Sequence, residues 1–225
     1  MGRGWSLGRI FGFPLFLDPT ALLLLAYFLI SGWAGGALAS VLFVLALVLC
    51  VVIHELGHAF VIRAMGWDAV IVVHGFGGVT LSQSQPTPGQ QVVISIAGPL
   101  MNAVQLGIAW GVLVLLGDPP AFVGVLPSLS AGSTLALFLD QVFIVNLFIG
   151  VFNILPVSPL DGGQAMHAIL DMITPDHAER ITAWVSITLA VAFLAFGASR
   201  REWLLVIIAI FLVAENYRTL APRPE

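Results

Sequence analysis

His54-Glu55-Leu56-Gly57-His58 puts two imidazoles and a carboxylate within one and a half helical turns. Residues four apart share a helix face, so His54 and His58 can ligate one metal ion. Glu55, next to the first histidine, can reach a water at that ion as its general base. This is the donor pair and base of a hydrolytic zinc site, with one Zn2+ expected per chain. A catalytic zinc takes a third protein ligand and leaves its fourth position to water. The extended form HExxHxxGxxH is not available, because Val61 and Ala64 stand where its glycine and third histidine would be. Nor does any glutamate occur between Glu55 and Glu179. His74, Asp140, Asp161, His167 and Asp171 remain as candidates. Asp161 suits the task best, since Pro156 and Pro159 keep its approach out of regular helix and free to turn a carboxylate. Its competing role is N-cap of the helix that follows.

These groups sit in a chain that is too apolar for water. Of 225 residues, 59% are hydrophobic and 9% charged, where an average soluble domain has about 25% charged. Mean hydropathy is +1.04. The composition is that of an integral, multi-pass membrane protein, with the lipid bilayer as its surroundings. There is no lysine and the net charge is −4, so a nucleic-acid partner is not expected. Cys50, the single cysteine, lies in an apolar run and reads as packing.

Six apolar runs read as candidate spans, at about 19–33, 37–66, 92–117, 134–154, 181–198 and 203–217. The third is interrupted at Gly98-Pro99. Between the second and third, Val70 to Val73 and Val79 to Leu81 flank Gly75, Gly77 and Gly78, which reads as a β-hairpin at about 69–81. Ser82 to Gln91 and Asp118 to Ser133 read as loops. A short amphipathic helix is expected from 163 to 173. The fold class is therefore all-α and polytopic, with a short membrane-associated hairpin, as one domain over 1–225. Placing both termini in the cytoplasm puts six arginines inside and Arg200 and Arg201 outside, in keeping with the positive-inside rule. The active centre then lies towards the cytoplasmic side. Asp140 is expected at the far side, facing water. Asn102, Asn146 and Asn153 lie within spans and must find hydrogen-bond partners.

HELGH together with Asn153-Ile154-Leu155-Pro156-Val157-Ser158-Pro159-Leu160-Asp161-Gly162-Gly163 resembles the site-2 proteases, the intramembrane zinc metalloproteases. That family pairs HExxH with a distant NxxPxxxxDG. Ala97-Gly98-Pro99-Leu100-Met101-Asn102 is similar to its GPxxN, and Gly75-Phe76-Gly77-Gly78-Val79 to its glycine-rich hairpin. The segment from Gly8 to Pro14 is similar to its lead. The resemblance implies the compact six-span type, without the PDZ or CBS domains of some relatives. It implies Asp161 as third ligand beside His54 and His58, with Glu55 catalytic. Asn153 and Asn102, with Gly75, Gly77 and Gly78, are implied to support the substrate or transition state. The substrate implied is a single-pass transmembrane protein, cut in regulated intramembrane proteolysis. The alternative from another class is a polytopic zinc transporter or sensor that hydrolyses nothing. The oligomeric state is not legible.

Overall fold

A computed structural model describes residues 4–30, 36–119, 121–123, 126–128 and 133–220. The described residues form two compact units, one of Met1–Ser84 with Ala97–Gly150, the other of Gln85–Ile96 with Val151–Glu225.

The first unit opens with a hairpin, β1 (Trp5–Ile10) and β2 (Phe13–Leu17), followed by α1 (Pro19–Ile30) and α2 (Ala37–Ala64). The expected hairpin then appears as β3 (Val70–His74) and β4 (Gly77–Leu81). Only this second hairpin was legible as strand. The first lies ahead of the first expected span, where no element was expected. The four strands make one sheet in the order β1-β2-β3-β4. The outer pairs are antiparallel, but β2 and β3 are parallel, with Leu15 opposite Ile71 and Leu17 opposite Val73. Parallel neighbours require a crossover, here made by α1 and α2.

That pairing has a topological consequence. β2 and β3 are hydrogen-bonded, so α1 and α2 leave the sheet and return to it. Only 12 residues of α1 are described as helix, and 31–33 of the expected first span lie outside the described residues. The junction is tied tightly. The Asp18 carboxylate accepts hydrogen bonds from the Thr20 hydroxyl at 2.6 Å and its amide at 2.9 Å. These bonds hold the Asp18 carboxyl below its ordinary pKa, the hydroxyl bond contributing most. The Asp18 amide donates to the Val73 carbonyl, and the Gly75 amide to the Thr20 hydroxyl.

Among the described residues, five helices are long and apolar enough to cross a membrane: α2, α3 (Pro88–Leu115), α4 (Thr134–Ile154), α6 (Pro175–Arg200) and α7 (Trp203–Leu220). Between the fourth and sixth helices lies the shorter α5 (Asp161–Ile173). α3 runs without a break through Pro99, unlike the interruption expected there. Proline removes only one ladder hydrogen bond, and in an apolar setting the remaining amides have no better partner than the helix. Inside the loop expected at 118–133, the short strands β5 (Ala121–Val123) and β6 (Leu126–Ser128) pair antiparallel.

In the first unit, Phe43, Ala46 and Cys50 of α2 pack with Ala109 of α3 and Val142 to Val145 of α4. In the second, Val157 packs with Ala190 of α6 and Leu212 of α7. The segment before α5 is held by polar bonds as well. The Ser158 amide donates to the Ser186 hydroxyl at 2.9 Å, and the Asn216 side chain donates to the Ser158 carbonyl at 2.6 Å. This satisfies backbone that regular helix would otherwise have paired, as low-polarity surroundings demand.

Candidate metal and catalytic site

The pattern HELGH lies in the last three turns of α2, and all five of its residues are buried. The helix has 28 residues, about 42 Å at 1.5 Å per residue. It therefore exceeds a hydrocarbon core of about 30 Å. The two imidazoles stand edge to face, with centroids 4.9 Å apart. Their Nε2 atoms approach to 3.2 Å. Two nitrogens bound to one tetrahedral zinc at their usual distances are separated by about 3.3 Å. The pair thus has the spacing of two ligands on one ion.

The proton on His54 is placed by a neighbour. Its Nδ1 lies 2.5 Å from Oδ1 of Asn102, on α3. An amide oxygen can only accept, so Nδ1 carries the hydrogen and the Nε2 lone pair is left for a metal. Asn102 therefore has a clear partner, and it is a histidine of the pair.

Space in front of the two nitrogens is kept open by Gly98. A Cβ there would fall 2.6 Å from both Nε2 and Cε1 of His54, and closer still to Nε2 of His58. The same crossing of α2 and α3 is tight at Gly57, where a Cβ would lie 2.6 Å from the Ala97 carbonyl oxygen. A donor set of two imidazoles, a cradle that excludes even a methyl group, and a fixed tautomer fit a zinc ion.

The carboxylate is held from the sheet. The Thr80 hydroxyl donates to Oε2 of Glu55 at 2.7 Å and lies 3.1 Å from the Glu55 carbonyl oxygen. Gly78, two residues away on the same face of β4, lets the carboxylate lie against the strand. A Cβ there would overlap Glu55, with Oε1 at 2.5 Å. Thr80 was not among the residues singled out from the sequence. Strand parity could have found it, since residues i and i+2 share a face. Thr80→Val keeps the shape and removes the donor. A hydrogen bond to a charged group contributes about 1.5–3 kcal/mol, so any reaction in which Glu55 takes part is expected to slow roughly 10- to 100-fold. Rates measured on the purified variant check this, and an unchanged rate would remove Thr80 from the site.

Gly75 and Gly77 serve the turn itself. A Cβ on Gly75 would strike the Thr20 backbone, and Gly77 has φ +128°. His74 is part of the same turn, its Nδ1 accepting the Phe76 amide at 3.2 Å. Asp140 departs from expectation. It is buried in α4 and does not face water.

In the second unit, Asn153 lies in the last turn of α4, half-buried. The helix after it begins two residues earlier than expected, at Asp161. Leu160 occupies the N-cap, so Asp161 is the first helical residue and not the cap. Gly162 and Gly163 are required by crowding, since a Cβ on either would run into the backbone of Ile154 and Leu155 or of Val157 and Ser158. His167 and Asp171 lie further along α5, both half-buried.

Membrane-spanning helices carrying a buried histidine pair at metal-ligand spacing, with a glutamate between, have the features of polytopic membrane metalloproteins. The model of peptidase family M50 matches residues 121–196. A zinc metalloprotease of Methanocaldococcus jannaschii is 31% identical over 215 residues, covering 94% of this chain and 59% of that protein. Rip3 of Mycobacterium tuberculosis is 31% identical over 225 residues, covering 88% and 54%. The chain spans about half the length of these relatives. The solved site-2 protease from M. jannaschii has a similar fold, with a TM-score of 0.65 at 24% identity over 99% of this chain and 97% of that one. The chain thus resembles peptidase family M50 over residues 121–196 and zinc metalloproteases over most of its own length.

Proposed function

We propose that this chain is an intramembrane zinc endopeptidase, hydrolysing peptide bonds in or near transmembrane segments of membrane-tethered proteins. One observation carries the reading: Glu55 is buried on a spanning helix beside two imidazoles at metal-ligand spacing. A transporter or sensor has no use for a base on the residue next to such a pair.

His54, His58 and Asp161 are assigned as the ligands of one Zn2+. The likeness to NxxPxxxxDG supports Asp161, as does the N-cap falling on Leu160 instead. When bound, the zinc supplies a Lewis acid for the scissile carbonyl and makes its water easier to deprotonate. Glu55, oriented by Thr80, takes the proton of the attacking water and returns it to the leaving amine. Asn153 is assigned to the developing negative charge on the carbonyl oxygen, on family likeness. The whole chain, 1–225, acts as one catalytic domain in this reading.

An intact helix hides its amides in i→i−4 bonds. The substrate must therefore be received as an extended strand, and β4, the last strand of the sheet among the described residues, offers an edge to which a strand can add. The glycines at 75, 77 and 78 then lie beside the bound strand. The substrates are single-pass segments whose helix is weakened near the cut by Gly, Pro or Asn. Replacing those residues by Leu is expected to slow cleavage, and an unaltered rate would exclude unwinding as the controlling step. The arginine distribution supports cytoplasmic termini, with the active centre towards that side.

The test is cleavage of tagged single-span model proteins by the purified chain in detergent, beside Glu55→Gln and a chelator. Product that disappears in both controls supports the protease. Zinc flux in vesicles without product would favour a transporter.

A further inference from the structure

The buried amides behind His54 continue beyond Asn102. Nδ2 of Asn102 donates to Oδ1 of Asn146 on α4 at 2.7 Å. Nδ2 of Asn146 in turn donates to the Val142 carbonyl at 2.8 Å and lies 2.9 Å from the Cys50 sulfur. Asn102, Asn146 and Cys50 are all buried.

An asparagine side chain can rotate to exchange its donor and acceptor ends. If Asn102 did so, it would present N–H to Nδ1 of His54. The ring would then carry its proton on Nε2, where a metal could not bind. Something must hold each amide in one orientation. The Val142 carbonyl is the fixed end, because a backbone oxygen only accepts. It forces Asn146 to point its amino group at α4 and its oxygen at Asn102. Asn102 must then donate to Asn146 and accept from His54. The direction of every bond follows from one main-chain carbonyl.

We propose that Asn146 is a positioning residue for the metal site, which sets the tautomer of His54 through Asn102 without touching the metal, its ligands or the substrate. The proposal rests on the zinc reading of the His54–His58 pair. Loss of groups that orient a metal-binding histidine typically costs 10- to 100-fold in metal affinity.

The experiment is a double-mutant cycle on full-length protein in detergent, reading zinc affinity by competition with a chromophoric chelator. Asn102→Leu is expected to weaken zinc about 30-fold, and Asn146→Leu about 10-fold. In the Asn102→Leu background, Asn146→Leu is expected to cost no more than about twofold, since the relay is already broken. Equal costs in both backgrounds would show a packing effect and overturn the proposal. Nitrogen NMR of labelled histidine gives a second readout, independent of zinc. Wild-type protein is expected to hold the proton of His54 on Nδ1, and Asn146→Ala to populate both tautomers. A single unchanged tautomer in Asn146→Ala would also overturn it. Wild-type protein that binds no zinc while keeping the Nδ1 tautomer would count against the zinc reading but leave the relay standing.

Discussion

Glu55→Gln is expected to lower peptide hydrolysis by about a thousandfold while leaving zinc bound. A positioned general base contributes roughly 10²–10⁴-fold, and Glu55 is the one carboxylate on the helix that carries the histidine pair. Glutamine has nearly the same shape and can still accept the Thr80 hydroxyl through its amide oxygen. The substitution therefore removes basicity without opening a cavity. It also leaves His54 and His58 in place, with Asn102 still on Nδ1. The two readouts separate the outcomes. Zinc retained with hydrolysis lost assigns the base. Zinc lost would make Glu55 part of the metal's support, and hydrolysis retained would exclude it from the chemistry.

The second large effect is expected at Gly98. By intrinsic propensity, Gly98→Ala should help α3, since alanine is favoured over glycine within a helix by about 1 kcal/mol. At the site the same methyl group would stand 2.6 Å from Nε2 and Cε1 of His54. Overpacking of this kind costs about 1–3 kcal/mol. The two helices approach closely along this crossing, since a Cβ at Gly57 would also fall 2.6 Å from the Ala97 carbonyl oxygen. The expected result is a protein that still folds but binds zinc about 100-fold more weakly. Gly107→Ala and Gly111→Ala are the comparisons, because nothing lies within 4 Å of a Cβ at either position. They should leave zinc affinity unaltered. Equal affinity in Gly98→Ala would mean that the metal does not sit in front of Gly98.

The parts of this molecule legible in its sequence are those with a strong local rule. Helical period places His54 and His58 on one face. β-branched runs around glycines place β3 and β4. Apolar length gives the spanning helices to within a few residues, apart from the starts of α3 and α6. The N-terminal strands escaped for an equally local reason. Their turn is Phe11-Gly12, with φ of +48° and +85°. A two-residue turn with both φ positive normally announces itself by Asn or Gly in the first place, and phenylalanine gives no such signal. The Arg63 guanidinium stabilises this turn from α2, donating to the Phe11 carbonyl and lying 3.4 Å from the Phe13 ring centroid. That is a contact across 52 residues, which no local window contains. Asp140 was misread because proximity to a helix end suggests water, whereas burial depends on neighbours. Thr80 and Gly98 needed the third dimension, since each is defined by what it lies against.

The parallel pairing of β2 with β3 bears on how the protein is made. β2 leaves the ribosome long before Val70–His74 exists, and in the meantime one of its edges has no strand to pair with. Its partner appears only after α2, with the HELGH segment, has been synthesised. The strand that brings Thr80 to Glu55 follows immediately. The sheet can close only if α1 and α2 carry the chain away from β2 and bring it back beside that strand. Sheet closure is thus a checkpoint on biogenesis. A chain whose second helix is misplaced cannot pair β2 with β3, and it cannot bring Thr80 to Glu55.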